Sequence, residues 1–431
     1  MEKLLTSEYR IQQNGNAAQV IEDARVAELR RDSAALQDLL SPFWPDFEKE
    51  PEIGESEPLL QGELLRLCGL FLSAFGHSRG IGNYQERSKD LLSKAIAVFE
   101  SEECFHKANE TKVSLATTYY YEGRLDECEA ILEEAGSSYQ RNQLHPVYLS
   151  VCINKIGVLH WKREYTQALE IIDSIEIPMS VCEDPYLKGQ FHNQAGITFT
   201  RSGNRKLGQE HYKEAIKFAV EVGSDRHVGL YLNNLAFSCN SSGNYDEAEE
   251  YAERARRVFT ELNERNWLAM TLDTLAQIHL HQNKLELATE RIDESAEIFR
   301  KSESFGELTD ALWVKVLILL RAENKEDAFM QFTELAEIAK REIGEYGVRK
   351  YAKEFSKIVY ILSGTNYHHE VKEFKRKMLM DSILESNADL NNAAGKLHTT
   401  RRDLVNILNR EFPEIYLELG ISTGVMNSAN S

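Results

Sequence analysis

Small residues return every forty positions through the middle of this 431-residue chain. Six positions share the spacing, and they are Cys128, Ala168, Gly208, Ala248, Ala288 and Ala328. An apolar or small residue follows each of them after four positions, and others precede each by nine and twelve positions. Steps of three and four place side chains on one face of a helix. The pattern therefore predicts a long series of amphipathic helices.

Residues that tolerate a left-handed backbone separate the two apolar stretches of most units. Gly123, Gly203, Gly243 and Asn283 hold this position, where a helix has to end. Each unit is therefore predicted to be a helix A, a tight turn and a helix B. One such pair cannot bury its apolar face alone, so the units must stack on each other into a solenoid.

Two segments of one unit are close to a known repeat. Residues 233–236 read Asn-Asn-Leu-Ala, and residues 243–248 read Gly-Asn-Tyr-Asp-Glu-Ala. They resemble the tetratricopeptide repeat in a longer, forty-residue form, and the resemblance covers roughly residues 60 to 362. It implies an all-α, right-handed TPR-like α-solenoid in which each helix A lines the concave wall.

The pattern also divides the chain. Residues 1–58 are expected to form a helical cap with an acidic linker, and residues 59–362 the superhelix. Ser-Gly-Thr-Asn at residues 363–366 is a turn signal that favours a domain boundary. Residues 363–412 are expected to form a small helical domain, and residues 413–431 a flexible tail.

Composition and charge exclude several classes of protein. A net charge of −19 and a pI near 5.2 argue against nucleic-acid or membrane binding along the whole chain. Neither a run of eighteen apolar residues nor a signal-peptide core is found. The six cysteines are scattered, as in proteins of a reducing cytoplasm. A cytoplasmic protein without membrane contact is expected.

The forty-residue pattern is replaced by two short predicted helices at residues 389–412. Asn391 and Thr400 are predicted N-caps of two short helices, and Asp403 completes a capping box at the second. Leu397, Leu404 and Leu408 would fill a small core. The segment resembles the Fis-type helix-turn-helix at the C-terminus of many bacterial regulators.

This resemblance implies DNA binding through the second helix. It assigns DNA contacts to Thr400, Arg401, Arg402, Asn406, Lys396 and Arg410. Residues 372–412 carry eight Lys or Arg residues against six acidic ones, a net charge of +2. One such module makes few phosphate contacts and would bind weakly by itself. A homodimer on a two-fold operator is therefore expected. The alternative is a helical cap or protein-binding surface without DNA activity.

The concave wall is the expected ligand site. Eight side chains are predicted to face a peptide or partner protein, and they are Tyr120, Trp161, Asn193, Asn233, Asn240, Asp273, Gln277 and Trp313. Asn193 and Asn233 share one column, and their amides can pair with an extended peptide backbone. The alternative is that both are ordinary polar residues of a solvated face.

Signals for catalysis are absent from the sequence. Gly-x-Ser-x-Gly, HExxH and Walker motifs do not occur, so no catalytic residue, metal or cofactor is expected. Two functions remain. The first is a cytoplasmic bacterial regulator whose solenoid binds a peptide or protein and whose C-terminal module binds DNA. The second is an interaction scaffold without DNA activity.

Overall fold

The computed structural model describes residues 17–52, 57–76, 81–344, 348–349, 351–355, 367–397 and 399–421. All regular secondary structure within these ranges is helical, which confirms the predicted all-α class. Internal contacts divide the chain into two compact units, Met1–Leu335 and Ala336–Ser431. This division comes before the boundary expected at residue 362.

The first unit is a series of consecutive helices joined by short turns. The helices are residues 17–30 (α1), Ser33–Leu40 (α2), Pro58–Phe75 (α3), Tyr84–Ser101 (α4), Phe105–Tyr121 (α5), Leu125–Ser137 (α6), Pro146–Lys162 (α7), Tyr165–Val181 (α8), Pro185–Arg201 (α9), Arg205–Val222 (α10), Asp225–Ser241 (α11), Tyr245–Glu261 (α12), Arg265–His281 (α13), Leu285–Lys301 (α14), Phe305–Arg321 (α15) and Lys325–Ile338 (α16). From α3 on, odd numbers are A helices and even numbers are B helices. The first unit ends at Leu335, within α16, and a π-helix, Ala339–Ile343, follows α16 in the chain.

The forty-residue column lies where helices A and B cross. Its cysteine and four alanines are at most 1% exposed, and Gly208 is also buried. Residues four positions later are at most 3% exposed, from Leu132 to Phe332. Small side chains at the crossing let the two backbones approach closely, and the larger ones beside them fill the layer between helices.

The turn column adopts the conformation that its sequence predicts. The φ angles of Gly123, Gly243 and Asn283 are 75°, 83° and 59°. Arg163 and Glu323 hold the same column with φ angles of 60° and 61°. A left-handed conformation costs a residue with a side chain about 1–2 kcal/mol. Packing of the adjacent helices therefore imposes this turn even where glycine is missing.

Helix α3 is the most apolar helix of the first unit. Its 18 residues are long and apolar enough to cross a membrane, but most of them are buried inside this unit. Trp44, Phe71 and Phe75 pack with α1 and α2 in one core cluster. The hydrophobicity of α3 is accounted for by the core that the N-terminal helices build around it.

The second unit contains one long helix and several short ones, and it has its own core. They are helical residues 348–349 and 351–355 (α17), Tyr367–Leu384 (α18), Leu390–Lys396 (α19), Arg401–Glu411 (α20) and Glu414–Glu418 (α21). Leu404 and Leu408 are fully buried, as expected. Met378 of α18 is 44% exposed and lies outside this core. The predicted boundary at residues 363–366 lies outside the described residues.

Two local predictions in this unit need correction. Asp389 caps α19 in place of Asn391, because its carboxylate accepts the Asn391 backbone N–H at 2.7 Å. Residues 414–418 are helical, and Ile415 and Tyr416 are buried in the core. This part of the expected tail is therefore folded, while residues 422–431 lie outside the described residues.

Gly208 gives a test of the close helix crossing. A Cβ atom there would lie 2.3 Å from Thr200 Oγ1 and 2.9 Å from the Gly196 carbonyl oxygen. We expect Gly208→Ala to destabilise the protein by about 1–3 kcal/mol through overpacking. Gly306→Ala is the matched control, because nothing lies within 4 Å of its Cβ position. Chemical unfolding monitored by circular dichroism measures both, and equal midpoints would contradict the close crossing.

Candidate ligand chamber

The first unit encloses a cavity of about 1080 Å³ on the concave side of its helices. Side chains of α1 and of the A helices from α3 to α15 line it, together with Tyr84 and Gln85 of α4. We call this cavity the chamber. The repeat determines which residues form the wall of the chamber, because equivalent faces of successive A helices point to the same side of a solenoid.

The end of α1 closes the chamber. The Ser224 hydroxyl donates to the Arg30 carbonyl oxygen at 2.9 Å, and Arg31 donates to the Tyr186 hydroxyl at 3.1 Å. At the other side of α1, Arg25 pairs with Glu63 at 3.2 Å. Helix α1 thus joins α3 to α9 and to the turn before α11. These links turn an open groove into a partly enclosed space.

Two arginines lie close together at this closure. Arg31 has φ 55° and pairs with Glu28 at 2.9 Å. The Tyr186 ring, which Arg31 contacts, lies 5.5 Å from the His227 ring. Burial and the charges of Arg31 and Arg226 lower the pKa of His227 to about 3. His227 is therefore neutral at physiological pH, and the local charge comes from the arginines and their carboxylates.

Arg226 connects helices from distant repeats. Its guanidinium group lies 5.2 Å from the Phe75 ring centroid and 5.8 Å from that of Trp267. Its Nε is 3.3 Å from a Glu264 carboxylate oxygen, but that N–H has no acceptor at hydrogen-bond geometry among the described residues. Burial lowers the pKa of Arg226 from its ordinary value, and the charge of Arg31 adds to the effect.

Further along the concave wall, buried acceptor oxygens lack donors. Gln194 Oε1, Asn233 Oδ1 and Asp273 Oδ1 have no hydrogen-bond partner among the described residues. They lie on α9, α11 and α13, one on each of three successive A helices. An unpaired buried acceptor costs about 1–3 kcal/mol. The described residues thus leave three buried acceptors on successive A helices unpaired.

Other polar side chains on this wall pair between repeats. Asn234 Nδ2 donates to Asn193 Oδ1 at 2.9 Å. The side chains of Asn240 and His281 are 2.8 Å apart. These bonds join neighbouring A helices, so they fix the wall and reduce the number of groups free to bind a ligand.

The structure separates the predicted ligand contacts into groups. Tyr120 and Asn193 line the chamber. Asn233, Asp273 and Trp313 hold the column of Asn193 in the next three repeats, outside the chamber lining. The remaining three lie elsewhere on the A helices: Trp161 is 61% exposed with its ring 6.2 Å from Tyr120, Asn240 contacts His281, and Gln277 donates to Asp273 at 2.7 Å.

The side chains at the closure, Tyr186, Arg226 and Arg31, are not among the ligand contacts that the sequence predicts. Tyr186 and Arg226 are forty residues apart at the start of two A helices, seven positions before Asn193 and Asn233, so extending the repeat projection by about two turns would have placed them on the wall. Arg31 carries no such signal. Its position depends on α1 packing across residues that lie more than 150 positions away.

The predicted DNA contacts lie around α20 in the second unit. The Thr400 hydroxyl accepts the Asp403 N–H at 3.1 Å, as an N-cap, and donates to the Asp403 carboxylate at 2.7 Å. Arg401, Arg402, Asn406 and Arg410 are exposed. Lys396 pairs with Glu385 at 3.1 Å.

Asp273 gives a test of the wall's electrostatics. Burial raises its pKa to about 7, and the nearby charge of Asp310 adds to the rise. Because the folded-state pKa exceeds the unfolded value, this carboxyl loses stabilisation as pH rises toward 7. We expect Asp273→Asn to raise the thermal midpoint at pH 8 and to have a smaller effect at pH 5. The exposed Glu250→Gln serves as control, and a pH-independent difference would contradict the assignment.

Comparisons with known proteins agree with this architecture. Residues 228–301 match the tetratricopeptide repeat family model. Regulatory protein RapG of Bacillus subtilis (strain 168) is 22% identical over 178 residues, which cover 41% of this chain and 48% of RapG. The chain thus spans about half of that relative's length.

A solved Rap structure gives the same result for the fold. A crystal structure of a Rap protein complexed with competence and sporulation factor aligns with a TM-score of 0.51 and 16% identity, over 76% of this chain and 98% of that one. The apo form of the quorum sensor NprR from B. thuringiensis aligns with a TM-score of 0.48 and 16% identity, over 80% and 98%. These comparisons show a helical-repeat solenoid that is similar in fold to the Rap structure and contains a segment matching the tetratricopeptide repeat.

Proposed function

We propose that this protein is a regulator whose chamber and concave wall bind an extended peptide, either free or as a segment of a partner protein. The observation that carries the proposal is the set of unpaired oxygens of Gln194, Asn233 and Asp273 on successive A helices. Main-chain N–H groups of an extended peptide supply donors at regular intervals, which is what such a series of acceptors can use.

The dimensions fit a peptide better than a small molecule. Small-molecule pockets usually occupy about 300–1,000 Å³, and the chamber, at about 1080 Å³, is slightly larger. Packed helices are about 8–10 Å apart, and an extended chain advances about 3.3–3.6 Å per residue. Each A helix therefore corresponds to about three ligand residues, and three acceptors cover roughly seven.

The relatives support a regulatory role. RapG is named a regulatory protein, and the similar Rap structure holds the competence and sporulation factor. By this proposal the chain uses its solenoid in a comparable way, as a receptor rather than an enzyme. All six cysteines are free thiols, which supports a place in a reducing cytoplasm.

Binding of a random heptapeptide library to the purified full chain tests the proposal. We expect the library to be retained, and Gln194→Ala combined with Asn233→Ala to reduce retention about tenfold, because each lost hydrogen bond contributes about 0.5–1.5 kcal/mol. Gln209→Ala is the control, since its amide contacts Ser242 instead. Mass spectrometry of the eluted peptides measures retention. No retention by the wild-type chain would refute the proposal.

DNA binding by the second unit is a second candidate function. The favouring observation is the pair α19 and α20, joined by residues 397–400, with Arg401, Arg402 and Asn406 exposed near the capped start of α20. Arginine pairs with guanine and asparagine with adenine in the major groove. A homodimer would supply the two half-sites that such modules use. A scaffold whose second unit binds protein is the alternative.

A mobility-shift titration with fragmented bacterial genomic DNA distinguishes DNA binding from the scaffold alternative. We expect selective retention that weakens steeply between 50 and about 200 mM salt, because phosphate contacts release counterions. Arg401→Ala with Asn406→Ala should abolish selectivity, while the exposed Lys377→Ala should not. Equal retention by both variants would exclude the proposed base contacts, and no retention at low salt would favour the scaffold.

A further inference from the structure

Two histidines face each other between the helices of one repeat. His192 of α9 and His211 of α10 have their Nδ1 atoms 2.9 Å apart. Between two neutral imidazoles, a contact of this length requires one Nδ1 to carry a proton and donate it to the other. Neither histidine belongs to the lining of the chamber. The pair is therefore a separate feature, which the proposed ligand site does not use.

Aromatic rings hold both imidazoles in place. The His192 ring stacks on Phe218 with the centroids 5.6 Å apart, and the His211 ring stacks on Phe199 at 5.2 Å. Phe191 meets the two imidazoles edge to face, at 5.3 and 6.4 Å. Both histidines are half-buried, so small solutes can still reach them. The packing thus fixes two converging nitrogens at an accessible place, as a binding site requires.

The distance between the two nitrogens is close to the distance that a metal ion needs. Zn²⁺ binds an imidazole nitrogen at about 2.0–2.1 Å, and two such bonds at a tetrahedral angle place their nitrogens about 3.3 Å apart. The observed separation of 2.9 Å is shorter by a few tenths of an ångström. A small opening of the pair therefore makes room for the ion. The donor ring then carries its proton on Nε2, and both rings stay neutral.

Both imidazoles are neutral at physiological pH, which is the form that binds metals. Burial, and then the neighbouring His211, lower the pKa of His192 to about 4. Burial also lowers the pKa of His211, against the opposing charges of Glu176, Glu210 and Glu214. Protons therefore do not compete with a cation for these nitrogens near neutral pH.

A carboxylate lies on the same side of α10 as His211. Glu214 follows His211 by three positions, a spacing that brings two side chains to one face of a helix. Its charge acts on His192 as well as on His211. Within the described ranges of the chain, no three His, Cys, Asp or Glu side chains are already grouped around a metal position. Glu214 has to turn away from Lys217, its partner at 2.5 Å in an exposed and therefore weak ion pair.

We propose that His192 and His211 bind Zn²⁺ or a similar divalent transition-metal ion, with Glu214 as the third ligand and water completing the coordination. Two imidazoles and one carboxylate are a ligand set that suits such ions. The ion fastens helix A to helix B in the unit whose α9 contributes Asn193 and Gln194 to the chamber. Its binding stabilises the folded chain, and the inference is independent of the proposed peptide binding.

Isothermal titration calorimetry of the metal-free full chain with Zn²⁺ tests the site. We expect one ion per chain and at least about tenfold weaker binding by His192→Gln or His211→Gln, because losing even an outer partner of a metal ligand costs about 10–100-fold in affinity. Glu214→Gln should weaken binding as well. Glu221→Gln is its matched control, since Glu221 is exposed and lies about two turns further along α10.

A second pair of metal-binding side chains provides the control for the histidines. The His106 Nδ1 atom lies 3.7 Å from Cys104 Sγ, so this pair competes as a Zn²⁺ site. His106→Gln should leave the affinity unchanged. Loss of binding in His106→Gln, together with unchanged binding in His192→Gln and His211→Gln, would move the ion to the cysteine and overturn the proposal.

The remaining outcomes also decide. No Zn²⁺ uptake by the wild-type chain overturns the site, and uptake unaffected by Glu214→Gln overturns the part assigned to this carboxylate. If both histidine variants fail to fold, as judged by circular dichroism, modification of the wild-type chain by diethylpyrocarbonate replaces them. Zn²⁺ should protect His192 and His211 but not His281, whose ring contacts Asn240. Equal modification with and without Zn²⁺, read by mass spectrometry, would refute the site.

Discussion

The close crossing of helices A and B is the contact on which the rest of this protein depends. Small side chains at the forty-residue column let the two helices approach, and Gly208 shows how little space is left there. Because every unit repeats this crossing, every helix A presents the same face to the concave side. The wall is a consequence of that repetition.

The chamber needs a second element that the repeat does not contain. Helix α1 lies outside the forty-residue pattern, yet its end contacts Tyr186 and Ser224. These contacts bring Arg31 next to Arg226 and Tyr186. A regular solenoid would leave an open groove of nearly uniform polarity. The packing of α1 instead gives one end of the groove a concentration of cationic donors, with the unpaired acceptors further along.

This arrangement connects the fold to the function that we propose. Acceptors along the wall match the backbone N–H groups that an extended peptide presents. Inter-repeat bonds such as Asn234 to Asn193 hold the wall in shape before a ligand arrives, which reduces the ordering cost of binding. The second unit has its own core around Leu404 and Leu408, so its role can be tested independently.

The sequence by itself determined the helix pairs, their period, the turn positions and the face of each A helix that forms the wall, because these follow from local periodicity. It placed Asn193 and Asn233 in one column for the same reason. Local periodicity could not show that Asn193 is already paired while Asn233 Oδ1 is not, since that depends on neighbouring repeats. Nor could it bring Arg31 to Arg226. Only the tertiary structure decided those contacts, because they join residues far apart in the chain through the packing of α1 against α3, α9 and the turn before α11.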